Sequence, residues 1–367
     1  MLLTRNSPAQ GIPLTLAETV IVTTINAQSN NSQTLLVPTF AGLMSNQDFA
    51  FAAAPGYYVT LGHHLGRDVE NRDHFVEVTY WGLNNWIESR QTAATELITD
   101  ANPLTGNPVT YGNLFTNMPT NVPGTGTPLQ NFASTVPGFN RAQLQVMYDQ
   151  TQVNNFELTA RISPRNLPDR LVMYPNGKWR RECQTGWYMS YLFGLRAMSI
   201  NDDFIFRSHG TITDTATEVS GEVFGEYHVH THNDLFGGQI GTDLMWRDCR
   251  WSAGLVGKIG PYVNFADQSS DIHTTGAAND PFASATDLNI HRDCRDQPIG
   301  MIGEVDFVGQ YKIRPNLAVK ASYNMMWVTG LALAPEQLAF QTDPPTNINT
   351  KGYLFFQGLK LAIEFDF

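Results

Sequence analysis

"GWYMSYLFGLRA", residues 186–197, alternates with a period of two. Trp187, Met189, Tyr191, Phe193, Leu195 and Ala197 share one parity, and Tyr188, Ser190, Gly194 and Arg196 share the other; only Leu192 departs from the pattern. Successive side chains of a strand point to opposite faces, so the stretch predicts a strand with one apolar and one polar face. The period recurs downstream. In "FGGQIGTDLMWR", Phe236, Ile240, Leu244 and Trp246 oppose Gln239, Asp243 and Arg247. In "WSAGLVGKIGPYVNF", Trp251, Leu255 and Ile259 oppose Ser252 and Lys258. Phe307 opposes Glu304, Asp306 and Lys312, and Tyr323 and Trp327 oppose Lys320. In the final "YLFFQGLKLAIEFDF", Phe365 and Phe367 oppose Lys360, Glu364 and Asp366. Weaker versions occur at 56–62, at 74–82 and at 153–162, where Phe156 and Leu158 oppose Glu157 and Arg161.

Composition narrows the setting of these strands. Charged residues make up 16% of the 367, against about 25% in an ordinary soluble domain. The net charge of −11 argues against nucleic acid, whose binding needs basic patches. No run of 18 apolar residues is present, which excludes a transmembrane helix. "MLLTRNSPAQ" lacks a charged start followed by an apolar core, and Met1 to Arg5 reads as the end of a strand, so a mature or trimmed chain is expected.

A soluble β-sandwich also alternates, with its apolar face as core. Three features favour lipid instead. The apolar face carries Trp, Tyr and Phe near strand ends, as the aromatic girdles of a membrane barrel do. The opposite face mixes Gly, Gln, Ser and Asn with charges of both signs. Short connections such as "RDCRW" and "IRPNL" alternate with long ones rich in Asn, Thr, Pro and Gly. Backbone groups in lipid must all be paired, so the sheet has to close. The expectation is therefore all-β: one domain over 1–367, a closed antiparallel transmembrane β-barrel with long extracellular loops and short periplasmic turns. The 84–141 segment reads as a long Thr/Pro/Gly-rich loop. Asn-Asp pairs at 201–202 and 233–234 set the strand number: about 10 if they are passing points in long strands, 12 if they are turns. The first alternative places every long loop on one side.

The parity also predicts two sets of side chains. Glu157, Arg161, Arg196, Asp243, Arg247, Lys258, Glu304, Asp306, Lys312, Lys320, Lys360, Glu364 and Asp366 line the lumen. Trp187, Phe236, Leu244, Trp246, Trp251, Phe307, Tyr323, Trp327, Phe365 and Phe367 face lipid. A barrel of 10 or 12 strands lies between the filled eight-stranded and the open 16-stranded cases. Opposite charges in so narrow a lumen pair, which makes a polar plug the main reading and a selective narrow channel its competitor.

From about residue 186 onward the chain resembles a family, the seventh putative β-barrel porin family, found chiefly in planctomycetes. The resemblance lies in "GLRAMSINDDF", "HTHNDLFGGQIGTDL", "WSAGLVGKIGPYVNFADQ" and "LAVKASYNMMWVTGLALAPEQL", with "VEVTYWGL" upstream. It implies a bacterial outer-membrane barrel, and it implies no enzyme and no cofactor. The expected partners are outer-membrane lipid and the outer-membrane assembly machinery, which would read the alternating C-terminal strand. A second copy or a surface partner could engage the long loops, in which case the protein acts as an adhesion or assembly scaffold. A protease at the barrel rim needs Asp and His clustered at the lumen mouth, which the sequence does not supply.

"EYHVHTHND", residues 226–234, puts His228, His230 and His232 on the parity of Phe236, hence outward and above the lipid. Alternate residues lie about 6.6 Å apart, so two of them could chelate an ion but three in a row need a further partner. They are metal candidates, against the simpler reading of a polar outer face. Of three cysteines, Cys183 and Cys249 fall in connections on the same, periplasmic side and are a disulfide candidate, while Cys294 falls in an outer loop and is expected unpaired.

Overall fold

The computed structural model describes residues 1–6, 13–25, 33–102, 104–116, 138–164, 170–182, 185–281, 286–314, 316–338 and 347–366. Among these, strands dominate, and the helical elements are single 3-10 turns such as Asn46–Asp48 and Ala334–Glu336. No helix is long and apolar enough to cross a membrane.

One antiparallel sheet organises the chain. In hydrogen-bonded order its strands are Ala54–Pro55, Leu2–Arg5, Gly352–Phe365, Leu317–Leu331, Ile299–Arg314, Trp251–Thr275, Val219–Arg247, Gly186–Asp214, Leu144–Pro164, Arg72–Ala93 and Tyr57–Arg67. The first and last strands of that order are sequence neighbours, separated only by Gly56. The backbone of Gly56 exchanges two hydrogen bonds with Met1, at 2.7 and 2.9 Å. A glycine is required there: a Cβ would lie 2.3 Å from the side chain of Asn84, which is buried and donates to the Ala54 carbonyl at 3.0 Å.

Both Asn-Asp pairs lie inside uninterrupted strands, because Gly186–Asp214 and Val219–Arg247 each run 29 residues. The connections expected to be long are shorter than the sequence suggested. Arg72–Ala93 continues well past residue 84, and Asn289–Asp296 adds a strand to the upper edge of Trp251–Thr275. Part of the 84–141 segment is itself β-structure, with Leu97–Ala101 paired to Pro108–Gly112. These stretches are Asn- and Thr-rich strands that lack the apolar outer face of the lower wall.

Burial sorts the lower wall as alternation dictates. Trp187, Phe236, Leu244, Trp246, Trp251, Phe307, Tyr323, Trp327 and Phe365 are exposed on the outer surface, and Phe367 lies outside the described residues. Trp187 stands opposite Trp246 in register, and the Trp251 ring packs on Tyr311 with centroids 4.6 Å apart. On Gly186–Asp214 the apolar outer band ends near Ala197, about the 9–11 residues a tilted strand needs to cross a bilayer.

Candidate functional site: the interior of the sheet

The concave side of the sheet has three levels. The lowest is a cavity of about 60 Å³ lined by Tyr58, Arg161, Lys258, Lys320, Ser322 and Lys360, among others. At roughly 10–15 Å³ of such space per water, it holds a few waters.

Immediately around it lies a charge cluster. Arg196, on Gly186–Asp214, is fully buried and donates to Glu157 at 2.7 Å and to Glu304. Lys258 meets the other Glu157 oxygen at 2.7 Å. Lys360 reaches Glu304 and Asp306, both at 3.1 Å. Amides satisfy the remaining acceptor positions: Asn155 and Gln239 donate to Glu157 at 2.9 and 3.1 Å, and Asn324 donates to Glu304 and Asp306 at 2.8 and 3.1 Å. Three cations thus face three carboxylates drawn from five strands. Buried charges persist only when paired and hydrogen-bonded, and every charge of this set is paired, with Arg196 Nε left without a hydrogen-bond acceptor among the described residues. Beside it, Arg161 bridges Asp243 at 2.6 Å and Glu77 at 2.9 Å.

The upper level departs from the expected polar lumen. It is an apolar core in which Trp81, Trp86, Met147, Val153, Ile200, Phe204, Phe206, Tyr227, Val229, Leu354 and Phe356 are all buried. Phe49 and Phe51 after one short 3-10 turn, and Leu333 and Ala334 at another, enter it from the connections. One ion cluster is set into this layer. Arg5 pairs with Asp149 at 2.8 Å and with Asp202 at 3.6 Å, and its guanidinium lies 3.5 Å above the Phe51 ring. The Ala334 amide donates to Asp202 at 2.9 Å, tying the 334–336 turn to the wall.

Of the residues expected in the lumen, Glu157, Arg161, Arg196, Asp243, Lys258, Glu304, Asp306 and Lys360 are brought together, and Lys320 lines the lower cavity. Lys312, Glu364 and Asp366 keep the inward parity but are exposed at the lower end, outside the network. At that end Gln310 donates to Glu364 at 2.9 Å. Arg247 stacks over the Tyr188 ring at 5.2 Å. Glu77, Asp149 and Asp202 are the additions. A signal for the last two existed, since Asp149 shares the parity of Glu157 and Asp202 that of Arg196.

On the outer face, His228 and His230 both hydrogen-bond Asp203, at 3.2 and 2.8 Å, and His232 contacts Asn201 and Asp234, the latter at 2.9 Å. Among the described residues no group of His, Cys, Asp and Glu has the geometry to hold a metal ion. The histidines are instead consumed by cross-strand pairs, Asp203 standing opposite His230 in register. The hydrogen bond to Asp203 is the main cause that raises His230 above its ordinary 6.5, with burial opposing. Burial would raise Asp203, but the bonds from His228 and His230 outweigh it and hold the carboxyl below the carboxylate range. Because the folded pKa of His230 exceeds the unfolded one, its pairing stabilises fully below about pH 6.5 and is lost as pH rises through the folded value. Thermal unfolding at pH 6 and pH 8 should therefore show a larger fall for the wild type than for Asp203→Asn. Equal falls would contradict the pairing.

Cys249 is disulfide-bonded and Cys294 is free; Cys183 lies outside the described residues. No curated protein matches the chain. The family described as putative beta barrel porin-7 matches residues 171–367, more than half of the sequence and the part that holds the longest strands and most of the charge cluster. All-β structure, alternating faces and this match agree, and the chain belongs to the putative beta barrel porin-7 family.

Proposed function

We propose that this chain is a ten-stranded β-barrel of the bacterial outer membrane whose interior is closed, so that it serves as a structural or surface-presenting barrel and not as an open pore. The closure reading takes Ala54–Pro55 and Tyr57–Arg67 as one strand, joined to Leu2–Arg5 on one edge and to Arg72–Ala93 on the other. The outer belt of Trp, Tyr, Phe and Leu supports lipid as its surroundings. The disulfide of Cys249 fits an oxidising compartment, and its partner in this reading is Cys183.

The observation that carries the closed interior is the stacking of a filled apolar layer on a neutralised charge cluster. A solute path would have to displace both. No catalytic constellation is part of this reading, since the histidines face outward and pair with wall carboxylates. The surface-presenting role rests on strand length. Residues 198–214 of the 29-residue strand Gly186–Asp214 stand beyond the apolar band, roughly 55 Å of strand at about 3.3 Å per residue.

Planar-bilayer recording tests the proposal. The purified protein is expected to give no stepwise conductance of open-porin size. The double variant Phe204→Ala with Phe206→Ala, which empties part of the apolar layer, should raise the leak. Stable large channels from the unaltered protein would refute the closed interior.

A further inference from the structure

The small cavity at the lowest level of the interior is lined by more cationic charge than anionic. Arg161, Lys258, Lys320 and Lys360 all border it, against two carboxylates, Glu77 and Asp306. The acids that neutralise Lys258 and Arg161 from behind, Glu157 and Asp243, are not part of the lining. The cations therefore stand between those carboxylates and the space, and at such short range this biases the space toward an anion.

Three donors in the lining have no acceptor among the described residues. One is the ammonium of Lys320, a half-buried side chain. Glu364, two residues along from the register partner of Lys320, Ala362, is already held by the Gln310 amide at 2.9 Å. The other two are the hydroxyls of Thr159 and Ser322, both buried residues. A buried hydroxyl without a partner is costly, so each calls for an acceptor in the cavity. Thr159 stands opposite Glu77 in register, and Ser322 stands opposite Lys360. The donors are thus carried by rungs on two separate parts of the curled sheet, and the hydrogen-bonded ladder fixes them before any ligand arrives.

We propose that this cavity binds one inorganic phosphate, as the singly protonated ion, taken up from the aqueous side at the lower end. Lys320 lies toward that end, where Lys312 and Asp366 are exposed. The volume of about 60 Å³ takes about four to six waters at roughly 10–15 Å³ each, the size class of one tetrahedral oxyanion. Lys320, Thr159 and Ser322 donate to its oxygens. Lys258 adds to them, since an ammonium has three N–H groups and one of them meets Glu157 at 2.7 Å. Glu77 and Asp306 distinguish phosphate from sulfate. Glu77 holds Arg161 and Asp306 holds Lys360, but a carboxylate has about four lone-pair sites, so each keeps acceptor capacity. They accept the proton that hydrogen phosphate carries and sulfate lacks. A site built to bond such a hydrogen rejects the analogue without it. Binding needs no path through the apolar layer above, so the inference goes beyond the closed interior and does not depend on it.

Isothermal titration calorimetry of the full chain in dodecyl maltoside, a detergent without phosphate, tests this with inorganic phosphate, sulfate and glycerol 3-phosphate at pH 8. One phosphate per chain is expected, with sulfate and glycerol 3-phosphate each at least about tenfold weaker. Lys320→Met should weaken phosphate by about tenfold or more, the worth of one charged hydrogen bond. It should unfold at the temperature of the unaltered chain, because its ammonium carries no pair in the wall. Ser322→Ala removes a donor with little change of shape and should weaken phosphate several-fold, which keeps the test intact if Lys320→Met does not fold. No phosphate binding, sulfate bound as tightly as phosphate, or unchanged phosphate affinity in the variants would overturn the proposal. Tighter binding of glycerol 3-phosphate would overturn it too, by placing an organic phosphate there. Bilayer conductance reads the closed interior separately. A chain that conducts and binds phosphate refutes only the closed interior; one that stays closed and binds no phosphate refutes only this inference.

Discussion

Replacing Arg196 with methionine is expected to destabilise the protein by about 3–5 kcal/mol, the largest loss of any single lumen substitution, because it leaves buried carboxylates facing each other without their shared cation. Arg196 holds Glu157 and Glu304 at once. Lys258 and Lys360 would remain, one on each carboxylate, but neither bridges the two. The cost arises from the unpaired charge and not from any large net worth of the cluster, since replacing a whole buried ion set with neutral groups is often close to neutral. Adding Glu157→Gln and Glu304→Gln to Arg196→Met should therefore recover part of the loss, although Lys258 and Lys360 then lose partners. Urea unfolding in lipid vesicles measures both variants. A loss under about 1 kcal/mol for the single variant would mean the cluster is solvated and the interior open.

How much of this was legible in the sequence follows from what alternation encodes. Parity alone separates Asp243 from Leu244 and Glu304 from Phe307, because a strand has two faces and the chain must choose one for each residue. Parity does not say how high a residue sits. Lys312, Glu364 and Asp366 have the inward parity of Lys360 yet lie at the open lower end. Nor does it reveal what fills the interior once the outer face is no longer apolar. Phe204, Phe206 and Val229 continue the inward parity of Arg196 and Asn233 above the apolar outer band, but beside polar outer residues such as Asp203 and His228 they carry no lipid signature. There the usual contrast inverts, with apolar residues inside and charges outside, as in a soluble sheet. The segments at 46–51 and 331–336 that complete the core come from connections, whose placement depends on contacts across the sheet's interior that no local pattern records.

The second large effect is a gradient down one strand of the outer face. Phe236, Ile240, Leu244 and Trp246 all point outward on Val219–Arg247, and Trp246 stands opposite Trp187 at the lower girdle. Arginine on a lipid face costs about 2–4 kcal/mol at the midplane and about 0–1 at the interface. Ile240→Arg, between Phe236 and Leu244, should carry the full midplane cost. Leu244→Arg lies two residues from Trp246, about 6.6 Å along the strand, so it should cost roughly half as much, with Trp246→Arg near zero. Asp243→Ala, one residue from Leu244, belongs to the other face and to a different mechanism. It removes the 2.6 Å bond to Arg161, which keeps Glu77 at 2.9 Å, so the loss should sit at the low end of the roughly 1.5–3 kcal/mol of an ionic hydrogen bond. It should also leave bilayer conductance unchanged, because the apolar layer above is untouched. Folding free energies in lipid for the four variants, read together, test the placement. If arginine is tolerated equally at 240, 244 and 246, the outer face does not meet lipid there, and the membrane reading of the whole wall fails with it.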